Sequence, residues 1–67
     1  MNQQLAKFMR EAKRELYQTK SHSRRYIYLG YIKVNLDSLQ KDGIICNSER
    51  QIANLELDLY CERMAGA

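Results

Sequence analysis

The sequence predicts a small all-α protein of three helices, in which a helical hairpin follows an N-terminal helix. Two observations support this fold class. The chain of 67 residues contains no proline and only three glycines, and so few helix-breaking residues favour a few long helices over short strands joined by tight turns. Apolar residues also recur at the three- and four-residue spacing of amphipathic helices. A chain of this length forms one domain, and we expect helices near residues 3–20, 24–42 and 48–64.

The first predicted helix has a single apolar stripe. At 100° per residue its members fall within one arc, which is typical of a helix that buries one face. The stripe comprises Leu5, Phe8, Met9, Ala12 and Leu16. The following segment, residues 19–23, contains the N-cap candidates Ser21 and Ser23 and predicts a break. A single bent helix through this segment is the alternative, because serine caps are a preference and not a stop signal.

The second predicted helix has two apolar stripes about 150° apart at the α-helical repeat. One stripe consists of Leu29, Ile32, Leu36 and Leu39, and the other of Ile27, Tyr31 and Val34. The end of this helix is marked by Gly43, which suits the left-handed residue of a Schellman motif. In that motif Ile44 packs on Leu39.

The third predicted helix begins at a capping box formed by Ser48 and Gln51, and its apolar residues cover an unusually wide arc. One side of the arc consists of Ile52, Leu55 and Leu59, and the other of Ala53, Leu57, Tyr60, Cys61 and Met64.

The surplus of apolar stripes predicts self-association. A three-helix monomer of this size covers about one stripe per helix, and monomers rarely expose large contiguous apolar patches. A homodimer is the commonest solution, and we assign its interface to the second and third helices. The predicted interface residues are Leu29, Ile32, Leu36, Leu57, Tyr60 and Met64. The alternative is a compact monomer with exposed tyrosines, since single exposed apolar side chains are normal.

Charge is divided unevenly along the chain. Residues 1–33 carry eight Lys or Arg against two Glu, whereas residues 34–67 carry three Lys or Arg against six acidic residues. Either the basic half faces an acidic partner, or the two halves attract each other.

The sequence predicts neither an enzyme nor a metal or cofactor site. It contains no Gly-rich phosphate loop, HExxH motif or nucleophile elbow, and His22 has no nearby ligand partner. Cys46 and Cys61 flank the third helix, roughly 20 Å apart along its axis, which is beyond the reach of a disulfide. We therefore expect reduced thiols and, with no signal peptide or membrane span in view, a cytoplasmic protein.

Two function classes remain. The first is a non-catalytic regulatory protein that binds another protein, because tyrosine and arginine are enriched at interface centres. Its predicted contacts are Arg24, Arg25, Tyr26, Tyr28 and Tyr31. The alternative is direct DNA or RNA binding by the basic and aromatic segment 20–33 or by the start of the third helix. Its predicted contacts are Lys20, Arg24, Arg25, Arg50, Gln51 and Asn54.

The first class is favoured, because a small chain that has no pocket and no catalytic constellation but carries such surface most often acts by occupying a partner, as inhibitors, anti-activators, corepressors and antitoxins do. The acidic residues of the third helix would also repel phosphate from the start of that helix. In length and helical content the chain resembles the small helical-hairpin regulators of plasmids and phages, which implies a regulatory function.

Overall fold

The computed structural model describes residues 2–66 and confirms the all-α fold class. Three helices follow one another: α1 (Gln3–Gln18), α2 (His22–Lys41) and α3 (Asn47–Gly66). The molecule is elongated, with extents of 34 × 18 × 17 Å. Ion pairs from Lys33 to Asp58 and from Asp37 to Arg50 show that α2 and α3 run antiparallel.

The break between α1 and α2 is present, so the alternative of one bent helix is not observed. The Ser21 hydroxyl accepts the Arg24 N–H at 3.4 Å and caps the start of α2. At the other end of α1, the Asn2 side chain accepts the N–H groups of Gln4 and Leu5 and donates to the Ile44 carbonyl at 2.7 Å. Asn2 therefore caps α1 and also ties it to the loop between α2 and α3.

The predicted Schellman motif at the end of α2 is confirmed. Gly43 has a φ of 76°, its N–H donates to Gln40 at 3.0 Å, and the Ile44 N–H donates to Leu39 at 3.0 Å. Ile44 and Leu39 are both half-buried against the core. These are the two hydrogen bonds and the apolar contact that define this helix end.

The cap of α3 lies at Cys46, two positions before the predicted Ser48, and the helix begins at Asn47. The Arg50 N–H donates to the Cys46 carbonyl, and the Glu49 carboxylate accepts the Cys46 N–H at 3.0 Å. Glu49 therefore supplies the carboxylate half of a capping box to Cys46, in place of the predicted pair of Ser48 and Gln51. The Ser48 hydroxyl instead lies 3.1 Å from the Cys46 sulfur.

The core uses one stripe from each helix together with Ile45 of the second turn. The buried side chains are Leu5, Met9, Ala12, Leu16, Leu29, Ile32, Leu36, Ile45, Ala53, Leu57 and Cys61. This corrects the choice of dimer-interface residues. Leu29, Ile32, Leu36 and Leu57 are buried within the single chain, because each helix must turn one stripe to the bundle axis. Tyr60 and Met64 are half-buried against the same core.

Candidate functional site

The stripe of α2 that the core does not use lies on the surface. Ile27, Tyr31 and Val34 are 58%, 64% and 60% exposed. Their four- and three-residue spacing places them on one side of the helix, facing away from the buried Leu29, Ile32 and Leu36. We call Ile27, Gly30, Tyr31 and Val34 the α2 face.

Gly30 lies at one edge of the α2 face, beside Ile27 and Val34, and has no packing neighbour among residues 2–66. A methyl group built at this position would meet no neighbouring atom within 4 Å. A glycine inside a helix is less favourable than alanine by about 0.5–1 kcal/mol. Its absent side chain does, however, let another backbone approach α2 closely.

A groove at the junction of α1 and α2 continues from the α2 face. It is lined by the exposed side chains of Lys20, Arg24 and Tyr28 together with the hydroxyl residues Thr19 and Ser21. Lys20, Arg24, Tyr28 and Tyr31 of the predicted contacts thus lie on one region of the surface. Tyr26, 47% exposed, projects from α2 at a different angle from the stripe.

Arg25 does not belong to this surface. It is 6% exposed, and its guanidinium donates to the Leu16 carbonyl at 3.0 Å and the Thr19 carbonyl at 2.6 Å. A third donor reaches Nδ1 of His22 at 2.6 Å, which must accept because a guanidinium only donates. Arg25 therefore satisfies the carbonyls at the end of α1, and it is not available to a partner.

The predicted nucleic-acid contacts on α3 are also mostly engaged inside the chain. Arg50 lies 3.5 Å from Asp37, bonds to Gln40, and donates to Asn47 at 2.9 Å. Asn54 is half-buried, and its Oδ1 has no hydrogen-bond partner within residues 2–66. Only Gln51 is exposed. The start of α3 thus presents little that could reach base edges.

A second exposed apolar stripe lies on α3. Ile52, Leu55 and Leu59 are 64%, 60% and 42% exposed, and we call them the α3 face. Glu56 borders one side and pairs with Lys13 of α1 at 3.3 Å, while Asp58 borders the other and pairs with Lys33 of α2 at 2.7 Å. The α3 face therefore points away from both neighbouring helices.

These two ion pairs explain part of the uneven division of charge between residues 1–33 and 34–67. Each joins a lysine of the basic half to a carboxylate of α3, so part of the charge asymmetry is used inside the molecule. Lys7, Arg10 and Arg14 of α1 remain exposed.

Sequence reasoning found both exposed stripes but missed the internal role of Arg25 and the position of Gly30 beside the exposed stripe of α2. A glycine next to an apolar helical stripe was a usable signal, because it weakens the helix for no local reason. The position of Arg25 on the same side as Leu29, Ile32 and Leu36 was a second signal, since residues three to four apart share a helix face.

The two cysteines are free thiols, Cys46 exposed and Cys61 buried. Burial raises the pKa of the Cys61 thiol, and nearby Asp58 raises it further, while Arg25 and Lys33 oppose this shift. Across residues 2–66, no group of three or more His, Cys, Asp or Glu side chains is placed to hold a metal ion. No helix in the same range is long and apolar enough to cross a membrane.

Comparisons of the chain with protein-family models, with curated proteins and with solved structures find no match.

Proposed function

We propose that this chain is a non-catalytic regulatory protein that acts by binding another protein through the α2 face. The supporting observation is the exposed stripe of Ile27, Tyr31 and Val34, which lies beside a glycine that has no packing neighbour among residues 2–66. Exposed apolar stripes at regular helical spacing are typical of protein-interaction surfaces. Tyrosine adds a large contact area with a polar end.

The geometry fits an amphipathic helix as the partner's contacting segment. An apolar stripe on a helix pairs with the apolar face of another helix, and Gly30 allows the two backbones to approach closely. Lys20 and Arg24 lie at one end of the surface, so acidic residues near one end of the partner helix would add specificity and speed association.

Capture of partners from a nuclease-treated lysate tests this proposal. The bait variant Tyr31→Ser/Val34→Ser changes two exposed side chains and should remain folded. It should lose a partner that the unchanged chain captures. Tyr17→Ser is the matched control, because Tyr17 is 73% exposed on α1 outside the α2 face, and it should retain that partner. Equal capture by all three baits would contradict the proposal.

Nucleic-acid binding is the second candidate, and one observation favours it. Lys20, Arg24 and Tyr28 line a single open groove, where a phosphate backbone and a base could bind together. In this case the purified chain would bind duplex or single-stranded nucleic acid, and the affinity would fall by about one power of salt concentration per phosphate contact. Lys20→Ala/Arg24→Ala would reduce that salt dependence. Absence of binding at low salt would exclude this candidate.

A further inference from the structure

The α3 face has the residue spacing of a helix-pairing seam. Ser48, Ile52, Leu55, Leu59 and Glu62 follow one another at intervals of four, three, four and three residues. This is the heptad spacing with which two helices pack along one another. Apolar residues fill the centre of the seam and polar residues its two ends, so the seam is suited to one short contact.

The residues at the two ends of one edge of this seam are opposite in charge. Glu49, Glu56 and Arg63 are spaced seven apart and therefore occupy the same flanking position of the heptad. When two copies of a helix pair antiparallel, equivalent flanking positions face each other across a two-fold axis. With that axis near Glu56, Glu49 of each copy faces Arg63 of the other, which forms two oppositely charged pairs.

The structure also provides a place for the incoming arginine. A cleft of about 130 Å³ between α1 and α3 is lined by the buried Leu5, Met9 and Ala53, by the exposed Ile52, and by the acidic residues Glu49 and Glu56. An arginine fits this combination, because its aliphatic stem packs on apolar surface while its guanidinium binds carboxylates. Within residues 2–66, Arg63 forms no ion pair of its own.

We propose that the occupant of the α3 face is a second copy of this chain, with the two α3 helices antiparallel and Arg63 of each copy in the cleft between α1 and α3 of the other. In this register Leu55 of one copy packs against Leu59 of the other, on both sides of the axis. The two Glu56 carboxylates approach each other near the axis, and each is accompanied by Lys13 at 3.3 Å.

This dimer uses other residues than the proposed partner-binding surface. The α3 face is bordered by the ion pair to Lys33 of α2, so it points away from the α2 face. The contact is short: Leu55 meets Leu59 twice, Ile52 at each end lies opposite Glu62 of the other copy, and interfaces of this size give weak association. We therefore expect a dissociation constant in the micromolar range.

Sedimentation velocity over the micromolar range is the first test. The unchanged chain should shift from monomer to dimer mass as its concentration rises. Leu55→Glu places one carboxylate from each copy in the seam of the dimer. This should raise the dissociation constant at least about tenfold. Val34→Glu, an equally exposed position on α2, should leave it unchanged. A monomer mass at all concentrations, or equal weakening by both variants, would overturn the proposal.

A charge-exchange experiment tests the antiparallel register. Arg63→Glu and Glu49→Lys each place like charges opposite one another, so each variant alone should be monomeric. Mixed in equal amounts, they should form a heterodimer. The carboxylate introduced by the first variant then faces the ammonium group introduced by the second, and the original pair of Glu49 and Arg63 is kept on the other side of the axis.

Circular dichroism of each variant shows whether its helices are intact. If the folded variants fail to associate on mixing, or if either one dimerises alone, the register is overturned.

The two proposals fail independently. Loss of dimerisation with retained partner capture would refute only the dimer, and the reverse result would refute only the partner-binding role of the α2 face.

Discussion

At the scale of single residues, Arg25 shows how a surface-type side chain becomes structural. Its three hydrogen bonds link α2 to the last turn of α1. Helix ends leave backbone carbonyls without partners, and a buried guanidinium with several donors can satisfy more than one of them. The preceding residue, Arg24, carries the same side chain but is exposed.

This difference gives a matched pair of substitutions. Arg25→Ala should lower the free energy of unfolding by about 2–4 kcal/mol, because bonds to a charged donor are lost and buried carbonyls remain unsatisfied. Arg25→Lys should recover little of that free energy, since one ammonium group cannot reproduce the planar, forked guanidinium. Arg24→Ala should change stability by less than about 0.5 kcal/mol. Urea denaturation followed by circular dichroism measures all three, and similar losses at positions 24 and 25 would contradict the structure.

The two cysteines should differ sharply in reactivity. The thiolate is the reactive form, and burial both shields Cys61 and raises its pKa. In the folded protein a thiol reagent should therefore modify Cys46 rapidly and Cys61 only after unfolding. Counting labelled thiols by mass spectrometry checks this, with Cys46→Ser as the control that removes the fast reaction. Two equally fast thiols in the folded chain would show that Cys61 is accessible.

At the scale of secondary-structure elements, we expect a substitution of glycine by alanine to have opposite effects on stability at Gly30, which lies within α2, and at Gly43, which follows it. A methyl group added at Gly30 or at Gly43 would meet no neighbouring atom within 4 Å, so only the backbone matters. Gly43→Ala should destabilise by about 1–2 kcal/mol, because an alanine at φ 76° is strained. Gly30→Ala should stabilise by about 0.5–1 kcal/mol through helix propensity. Thermal melts of both variants measure these shifts, and a loss of stability at Gly30 would reveal an internal role for it.

The first turn of α3 should make the stability of the fold depend on pH. The N–H of Cys46, together with its side chain, lowers the pKa of the Glu49 carboxyl below its ordinary value of 4.5. A carboxyl whose pKa is lower in the folded state stabilises the fold above its unfolded pKa. That stabilisation disappears as the pH falls through the folded pKa. Glu49→Gln should therefore narrow the difference in melting temperature between neutral and acidic pH, and an unchanged difference would show that the carboxylate is not a cap.

Helix positions and types were predictable because their signals are local. The end of α2 needed only Gly43 and the apolar pair of Ile44 and Leu39. The start of α3 was misplaced because a cysteine is not a favoured N-cap, whereas Ser48 is. What determined the observed start was the carboxylate of Glu49, three residues after Cys46.

At the scale of the whole molecule, the sequence of α2 alone could not show which of its two apolar stripes is buried. Both stripes of α2 have suitable spacing, and only the packing of α1 and α3 decides which one is buried. The surplus surface that suggested a homodimer is present, but it consists of the α2 and α3 faces and not of the core leucines. Dimerisation itself stays a prediction.

Two leucines of α3 test this assignment of stripes. Leu57 is fully buried and Leu55 is 60% exposed. Leu57→Ala should cost about 2–5 kcal/mol, because it leaves a cavity in the core. Leu55→Ala should cost less than about 0.5 kcal/mol at protein concentrations below the range in which the proposed dimer would form. Denaturant titrations compare the two, and equal costs would mean that both stripes are buried.

The turn between α1 and α2, residues 19–21, has the composition at which proteins usually accept insertions: short, polar and largely exposed. Arg25 changes that expectation. Its guanidinium reaches back across the turn to the carbonyls of Leu16 and Thr19, so the number of intervening residues determines whether those bonds form. One added residue in this non-helical turn would lengthen the chain between those carbonyls and Arg25 by up to about 3.5 Å. This turn should therefore tolerate changes of residue type at Lys20 far better than any change of length.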